Sequence, residues 1–378
     1  MTIGRNVRQA ALALGAAALG LLAVSATRAE PPGGLTRNGP IVLLKQGSFF
    51  VGGEVLKGDD GDTAHVGQAF VEYQVPVRAR RYPLVMWHGG SQTGKTFEST
   101  PDGRDGYQQI FSRNRYPVYI LDQAGRGRGG RLATGVTIGP AVGHEANIWS
   151  IFRLGPWEPP GPAGYFPNVA FPRDPAAIRQ FMQQDTIAFG PDSFDRASRE
   201  FHSDNTVALL KEIGPSVIVT HSNSGQYTWY TAMKAPELVK AIVGYENGTY
   251  VFPQSAPPPA IPSKVDRVNM VTAPVLVPDA QFKALTRMPI ILFYGDNIDF
   301  TTPSDNFGIE LWRVNSQRAQ QFVDAVNKAG GNARLVFLPK VGLVGNTHFA
   351  FADLNNFQVA QQMQSFLHQY GLDAEAAK

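Results

Sequence analysis

The sequence predicts an α/β fold in which helices flank a mostly parallel central sheet. The first observation is that short apolar runs alternate along the chain with helical patterns, as in parallel strands joined by helical crossovers. The second is the run Val217–Thr220, which leads at once into His-Ser and a cluster of small residues. The third is one connection, about residues 130–199, that is too long for a simple crossover and contains many aromatic residues.

Eight apolar runs predict the strands of this sheet. They are Ile41–Val51, Gln68–Val75, Tyr82–Trp87, Val118–Leu121, Val217–Thr220, Ala241–Tyr245, Ile290–Tyr294 and Arg334–Leu338, and a polar turn at Lys57–Thr63 separates the first two. Helical patterns predict five helices between or after the runs, at Tyr107–Arg113, Asp204–Ile213, Gly225–Lys234, Gln317–Ala329 and Asn356–Tyr370. The alternation indicates one α/β domain over residues 30–378.

Two insertions interrupt the alternation. Residues 130–199 are rich in Pro, Gly and aromatic side chains, including Trp149, Phe152 and Trp157. Segments this long in a compact domain usually form functional lids or are disordered, and the aromatic content favours a packed cap. Residues 252–285 are proline-rich, and we expect them to border the same cleft.

The N-terminus predicts a bacterial secretory signal peptide over residues 1–29. Arg5 and Arg8 precede an apolar run, and small residues at Ala26 and Ala29 offer cleavage sites. The alternative is an uncleaved anchor, although the run is short for a membrane span. We therefore expect a periplasmic or secreted protein with no stable membrane span once the signal is removed.

The charge of the chain excludes several classes of partner. The formal net charge is +3, but removal of the leader takes away three arginines and leaves 31 basic against 31 acidic residues. The mature protein therefore gives no reason to expect a nucleic-acid partner. It has no cysteine, which excludes disulfides, thiol catalysis and thiolate metal ligands. An oligomer is compatible with this composition.

The most informative motif lies at Val217–Gly225. A β-branched run followed by Thr-His-Ser-Asn-Ser-Gly is typical of a nucleophile elbow, a strand-to-helix turn that exposes one serine at its tip. Thr220 and Ser224 stand where glycines are usual around the nucleophile Ser222. Ser224 is the alternative nucleophile, but that choice would put the larger Gln226 where a small residue is required.

The segment after Trp87 permits two interpretations. Gly89–Thr96 satisfies the phosphate-binding pattern G-x-x-x-x-G-K-[ST]. Such a loop requires a helix beginning at its Gly-Lys-Thr, and Pro101-Asp102-Gly103 would interrupt that helix within two turns. Alternatively, His88-Gly89-Gly90 at the end of a strand supplies a backbone N–H to an oxyanion hole.

Six motifs in order support the second interpretation. They are H-G-x-x-x-T-G at 88–94, T-P-D-G-R at 100–104, D-Q-x-G-R-G-R at 122–128, G-H-E-A at 143–146, H-S-x-S-G at 221–225 and G-N-T-H at 345–348. In these motifs the chain resembles the α/β-hydrolases, and more narrowly a small group of secreted bacterial serine esterases. The resemblance spans about residues 47–370. It implies an α/β-hydrolase fold and a Ser-His-Glu triad.

The candidate site follows from the elbow and its partners. Ser222 is the candidate nucleophile, with backbone amides of Gly90 and Asn223 as oxyanion donors. His348 is the candidate base, because it follows a strand through a Gly-rich loop and precedes the last helix. Two acids remain open: Asp296 has the usual place after a strand, whereas the resemblance implies Glu246.

These residues predict an exported serine hydrolase of carboxylic esters, either small molecules or polymers. The aromatic cap suggests an apolar or aromatic substrate. Hydrolysis of amides, lactones or polymers on the same scaffold is the alternative. No cofactor is expected, and no metal, since the H-E-x-x-H spacing begun by His144-Glu145 fails at Ile148.

Overall fold

The central sheet of the protein has eight strands. The computed structural model describes residues 33–130, 144–185 and 194–376. The sheet consists of β1 (Leu43–Val51), β4 (Ala69–Pro76), β5 (Leu84–Trp87), β6 (Val118–Asp122), β7 (Ser216–His221), β8 (Val239–Tyr245), β11 (Pro289–Tyr294) and β12 (Asn332–Phe337). Each strand matches a predicted run to within two residues at either end. The predicted leader, residues 1–29, lies outside the described residues.

The sheet is mixed but mostly parallel, with strand order β1-β4-β6-β5-β7-β8-β11-β12. β4 runs antiparallel to both of its neighbours, and the five pairings from β6 to β12 are parallel. The predicted fold class is therefore confirmed. Because parallel strands end at one edge of a sheet, the segments that follow β5, β7, β8, β11 and β12 meet there.

Strands β5, β6, β7, β8 and β11 are buried on both faces. All six residues of β7 are buried, and its successive side chains enter two different hydrophobic clusters. Val217 and Val219 pack on one face of the sheet, while Ile218 packs on the other. Full burial of such a side chain contributes about 1.5–3 kcal/mol. Burial on both faces explains why these strands appear as continuous apolar runs rather than alternating patterns.

Nine α-helices lie within the described residues: α1 (Tyr107–Arg113), α2 (His144–Ile151), α3 (Pro175–Gln184), α4 (Arg196–Ile213), α5 (Ser224–Lys234), α6 (Asp266–Val271), α7 (Asp279–Ala284), α8 (Phe307–Lys328) and α9 (Asn356–Gln369). The five predicted helices correspond to α1, α4, α5, α8 and α9. Two of them begin eight or more residues earlier than predicted: α4 at Arg196 instead of Asp204, and α8 at Phe307 instead of Gln317. Side-chain caps from Asp195 and Asn306 fix these starts.

Two small sheets were not predicted. β2 (Glu54–Lys57) and β3 (Thr63–Val66) form an antiparallel hairpin around the predicted polar turn. β9 (Val251–Pro253) and β10 (Val275–Val277) pair in parallel inside the proline-rich insertion. That insertion is fastened to α8, because the Arg313 and Arg318 guanidinium groups donate to the carbonyls of Pro262 and Pro259.

The described part of the long insertion contains α2, α3 and an aromatic cluster. Trp149 lies edge-on to Tyr165, with ring centroids 5.1 Å apart, and Phe152 contacts Phe181 at 5.7 Å. Trp149 and Phe152 are both buried. These side chains therefore pack as core, so their abundance does not by itself argue for an aromatic substrate.

None of the helices in these three described stretches is long and apolar enough to cross a bilayer.

Candidate active site

Ser222 occupies a sharp turn between β7 and α5. Its backbone has φ = 52°, a left-handed conformation that a non-glycine residue adopts only where its surroundings enforce it. Its amide donates to the carbonyl of Tyr245 at 3.0 Å. Its carbonyl accepts from the amides of Gly225 and Gly248 at 3.1 and 2.9 Å. These bonds fix the strained backbone, which is the geometry of a nucleophile elbow.

The residues that replace the usual elbow glycines bond to each other. The hydroxyl groups of Thr220 and Ser224 are 2.6 Å apart, and both side chains are fully buried. The Ser224 hydroxyl also lies 2.9 Å from the carbonyl oxygens of Trp87 and His221. Ser224 is therefore engaged in holding the elbow, whereas Ser222 is partly exposed. This geometry supports Ser222 over Ser224 as the nucleophile.

Glycine is required where the loop after β5 approaches the elbow. A Cβ atom on Gly89 would lie 2.9 Å from the Ser222 Cβ and 2.7 Å from the His221 Nδ1. The His88 imidazole holds this loop through its Nδ1, 2.8 Å from the carbonyl oxygen of Gly89. The loop that carries Gly90 thus lies against the elbow. Asn223, the other candidate oxyanion donor, begins the first turn of α5, where backbone N–H groups and the helix dipole favour negative charge.

His348 lies in a buried aromatic setting between β12 and α9. Its ring centroid is 4.3 Å from those of both His221 and Trp312, and the Phe152 ring stacks at 5.8 Å. The carbonyl of His348 accepts from the Nε2 of His221 at 3.0 Å. His221 therefore contacts the His348 ring and anchors its backbone.

Glu246 is the carboxylate that pairs with His348. Its Oε2 lies 2.6 Å from the His348 Nδ1, and both side chains are buried. Oε1 accepts from the amide of Gly295 at 2.7 Å, and both oxygens accept from the guanidinium of Arg153. Burial alone would raise the pKa of Glu246, but the charge of Arg153 and the bond to His348 lower it to about 2. Glu246 is therefore ionised at neutral pH and can hold the imidazole with Nε2 free to accept a proton.

Asp296, the alternative acid, binds the backbone before His348 and a side chain of the cap. Its Oδ2 accepts from the amide of Gly345 at 2.7 Å and from the side chain of Asn168 at 2.9 Å. Its backbone amide donates to the carbonyl of Asn346. Asp296 thus fastens the start of residues 342–355, hereafter the histidine loop, to the cap. This geometry favours Glu246 as the acid of the site.

A buried carboxyl group within the histidine loop, that of Asp353, was not predicted. Asp353 accepts from the amide and hydroxyl of Thr347 at 2.7 and 2.8 Å, and from the side chain of Asn346 at 3.0 Å. Burial raises the pKa of Asp353 to about 7, in spite of these bonds. The carboxyl group therefore crosslinks the two residues that precede His348.

The T-P-D-G-R motif supports the other end of the same loop. Arg104 pairs with Asp102 at 2.7 Å and donates to the carbonyls of Ala352 and Asp353, each at 3.0 Å. It also reaches the side chain of Asn356, at the start of α9, at 2.9 Å. The T-P-D-G-R motif thus stabilises the end of the histidine loop through hydrogen bonds from Arg104.

The phosphate-loop alternative is not supported by this geometry. Residues Gly94–Phe97 form a single 3-10 turn, and the next helix begins only at Tyr107. The Lys95 ammonium donates to the carbonyl of Ser99 at 2.7 Å, within its own loop. The amide of Gly94 donates to the buried carboxylate of Asp122 at 2.5 Å. The lysine and the glycine amide that would hold phosphates are thus already bonded to the protein.

A parallel sheet with a strained serine elbow and a buried His–Glu pair at its carboxyl edge defines the class of α/β hydrolases. The chain is similar to a bacterial esterase of known structure, with 31% identity over 89% of this chain and 98% of that one, and a TM-score of 0.69. It is also 27% identical over 339 residues to a fungal protein (Fungal sp.) named "Probable secreted lipase phiG", covering 79% of this chain and 85% of the lipase. No protein-family profile matches the chain.

The chain belongs to the α/β-hydrolase superfamily. Within it, the chain is a carboxylic ester hydrolase. The predicted class of enzyme is thereby confirmed.

Proposed function

We propose that the protein is an exported serine esterase in which Ser222, His348 and Glu246 form the catalytic triad. The observation that carries this proposal is the buried His348–Glu246 pair, whose His348 ring contacts the ring of His221 in the elbow, with centroids 4.3 Å apart. The leader over residues 1–29 would direct export and be removed, leaving one hydrolase domain over residues 30–378. N-terminal sequencing of the exported protein tests this part, with Thr27 or Glu30 expected as the first residue.

The chemistry proceeds in two half-reactions. His348 takes the hydroxyl proton of Ser222 at Nε2 while Oγ attacks the ester carbonyl, and the amides of Gly90 and Asn223 stabilise the oxyanion. The tetrahedral intermediate collapses as His348 returns the proton to the leaving alcohol. Water then attacks the acyl-enzyme, again with His348 as base, and releases the acid and free Ser222.

The substrate is an ester of a small molecule or a polymer, held under a cap formed by residues 130–199. The second insertion, residues 252–285, is held against α8 by hydrogen bonds from two arginines of that helix. The aromatic side chains of the described cap pack on each other. We therefore propose that the ester substrate has an apolar acyl group, which need not be aromatic. Residues 131–143 and 186–193 of the cap lie outside the described residues.

Covalent labelling tests the assignment of the nucleophile. A fluorophosphonate probe should phosphonylate Ser222, and peptide mass spectrometry should locate the adduct on that residue. The probe requires both an activated serine and an oxyanion site, so labelling reports on the whole arrangement. An adduct confined to another serine, or turnover without any adduct, would refute the proposal.

The acid limb of the pH profile should lie below that of free imidazole. Burial lowers the pKa of His348 from 6.5, although the hydrogen bond and charge of Glu246 act in the opposite direction. His348 is active as a base only when neutral, and a lowered pKa keeps it neutral to a lower pH. We expect kcat/KM to remain above half of its plateau at pH 6.5, measured with an uncharged ester. A midpoint above 6.5 would contradict this expectation.

A further inference from the structure

Arg153 makes an unusual set of contacts for a residue outside the usual triad. Its side chain is buried, and its two terminal nitrogens donate to the two carboxylate oxygens of Glu246, the Nη1 to Oε2 distance being 2.7 Å. Its Nε donates to the carbonyl of Asp296 at 2.9 Å. A planar fork of this kind fixes a carboxylate in orientation as well as position.

The surroundings of Arg153 hold it in that position. Its guanidinium carbon is 5.3 Å from the centroid of the Trp312 ring, which also packs against His348. The Trp312 Nε1 donates to the carbonyl of Ile151 at 2.5 Å, at the end of α2. A Cβ atom on Gly295 would lie 2.8 Å from the Arg153 Nη2, so glycine leaves room for the guanidinium. Even the backbone of Arg153 is constrained, at φ = 56°.

We propose that Arg153 is a positioning residue for the reaction: it aligns the Glu246 carboxylate with His348, and its charge limits how strongly that carboxylate favours the protonated imidazole. This inference rests on the proposed function. Arg153 belongs to the cap insertion, so the cap contributes a charged group to the acid–base pair.

The charge balance around His348 gives the direction of the effect. The titratable and charged groups around it are Glu246 after β8, Arg153 after α2, His221 in the elbow, and Asp353 in the histidine loop itself. Glu246 favours the imidazolium, whereas Arg153 disfavours it. Removal of the Arg153 charge leaves Glu246 uncompensated, so protonated His348 becomes more stable and neutral His348 appears only at higher pH.

The experiment compares Arg153→Met and Arg153→Lys with wild type. For Arg153→Met we expect a kcat that is lower by about 10- to 100-fold, because the acid–base pair loses its alignment. We also expect the acid limb of kcat/KM to move up by about one pH unit. Arg153→Lys keeps the charge but not the fork, so its acid limb should stay at the wild-type position while kcat falls.

Arg80→Met is the matched control. Arg80 also has a ring below its guanidinium, Tyr116 at 4.6 Å, and also pairs with a carboxylate, that of Asp373 at 3.6 Å. It precedes β5, at the opposite edge of the sheet from the site. Its loss should lower the thermal stability without moving the acid limb. A purely structural role of Arg153 would give this same result.

A Glu246→Gln background completes the test. If Arg153 aligns Glu246, that alignment is already lost in this background, so Arg153→Met should cause little further loss of kcat there. An acid limb of Arg153→Met that coincides with wild type, or the same loss of kcat in both backgrounds, would overturn the inference. If Arg153→Met does not fold, Arg153→Lys provides the test. A kcat of Arg153→Lys equal to that of wild type would then overturn the inference. Turnover that persists in Ser222→Ala would refute the proposed function, whatever Arg153 does.

Discussion

Replacement of Ser222 by alanine should lower kcat by about 10⁴- to 10⁶-fold, the range expected when a catalytic serine is removed. The change deletes one hydroxyl from a partly exposed side chain, and the bonds by which residue 222 itself supports the elbow come from its backbone. The melting temperature should therefore stay close to that of wild type. Initial rates with a chromogenic ester, together with a thermal melt, measure both quantities.

Ser224→Ala is the matched control, two residues away and with the same chemical change. The Ser224 hydroxyl is fully buried and bonds to Thr220 and to backbone carbonyls, so its loss should cost stability, about 1–3 kcal/mol. The folded fraction should still react with a fluorophosphonate. A Ser222→Ala variant that reacts and a Ser224→Ala variant that does not would reverse the assignment.

Strands β5, β6, β7, β8 and β11 were predictable because burial on both faces makes each of them an almost continuous apolar run. β7 and β8 are buried along almost their whole length, and tight turns or charged residues end them. α1 was predicted with its observed bounds, Tyr107–Arg113. Its Gly106 start and its apolar residues at helical spacing are both local features of the sequence.

Elements stabilised by distant polar contacts were not predictable. The first ten residues of α8 include buried Glu310, Arg313 and Asn315, which interrupt the apolar pattern that marks a helix. The paired charges of Glu310 and Arg313 become compatible with burial through each other, the amide of Ser304 and the carbonyl of Pro262. α2 and α3 lie in an insertion whose packing partners are equally remote in sequence.

The candidate site also contains residues that the local sequence predicts and residues that it does not. Ser222 and His348 each lie in a short motif at a strand end, so the local sequence is sufficient to nominate them. Arg153 has no such motif, and its partner Glu246 is 93 residues further along the chain. The local sequence around Arg153 shows only an arginine among aromatic residues. The same pattern is expected in a cap whose side chains merely pack together, so it does not indicate a role in the site. Its role depends on how the cap folds onto the sheet.

Replacement of Glu246 by glutamine should cause the second large loss of kcat, and it tests the choice between the two candidate acids. The amide can present an N–H to the His348 Nδ1 and so stabilise the tautomer with its proton on Nε2, which cannot accept the proton of Ser222. It also leaves the buried Arg153 charge without its carboxylate. We expect kcat to fall by about 10³- to 10⁴-fold, by analogy with loss of the acid in other serine triads.

Asp296→Asn is the matched comparison, because it makes the same carboxylate-to-amide change at the other strand end. Asp296 accepts from Gly345 and Asn168, and one amide oxygen can keep only part of these bonds. The expected cost is therefore a loss of about 1–3 kcal/mol in the free energy of unfolding. The kcat of the folded fraction should stay within about tenfold of wild type, because Asp296 makes its bonds to the start of the histidine loop and His348 keeps its carboxylate partner. If Asp296→Asn abolished turnover and Glu246→Gln did not, the acid of the triad would be Asp296, and the observed His348–Glu246 pair would be a resting arrangement that rearranges during catalysis.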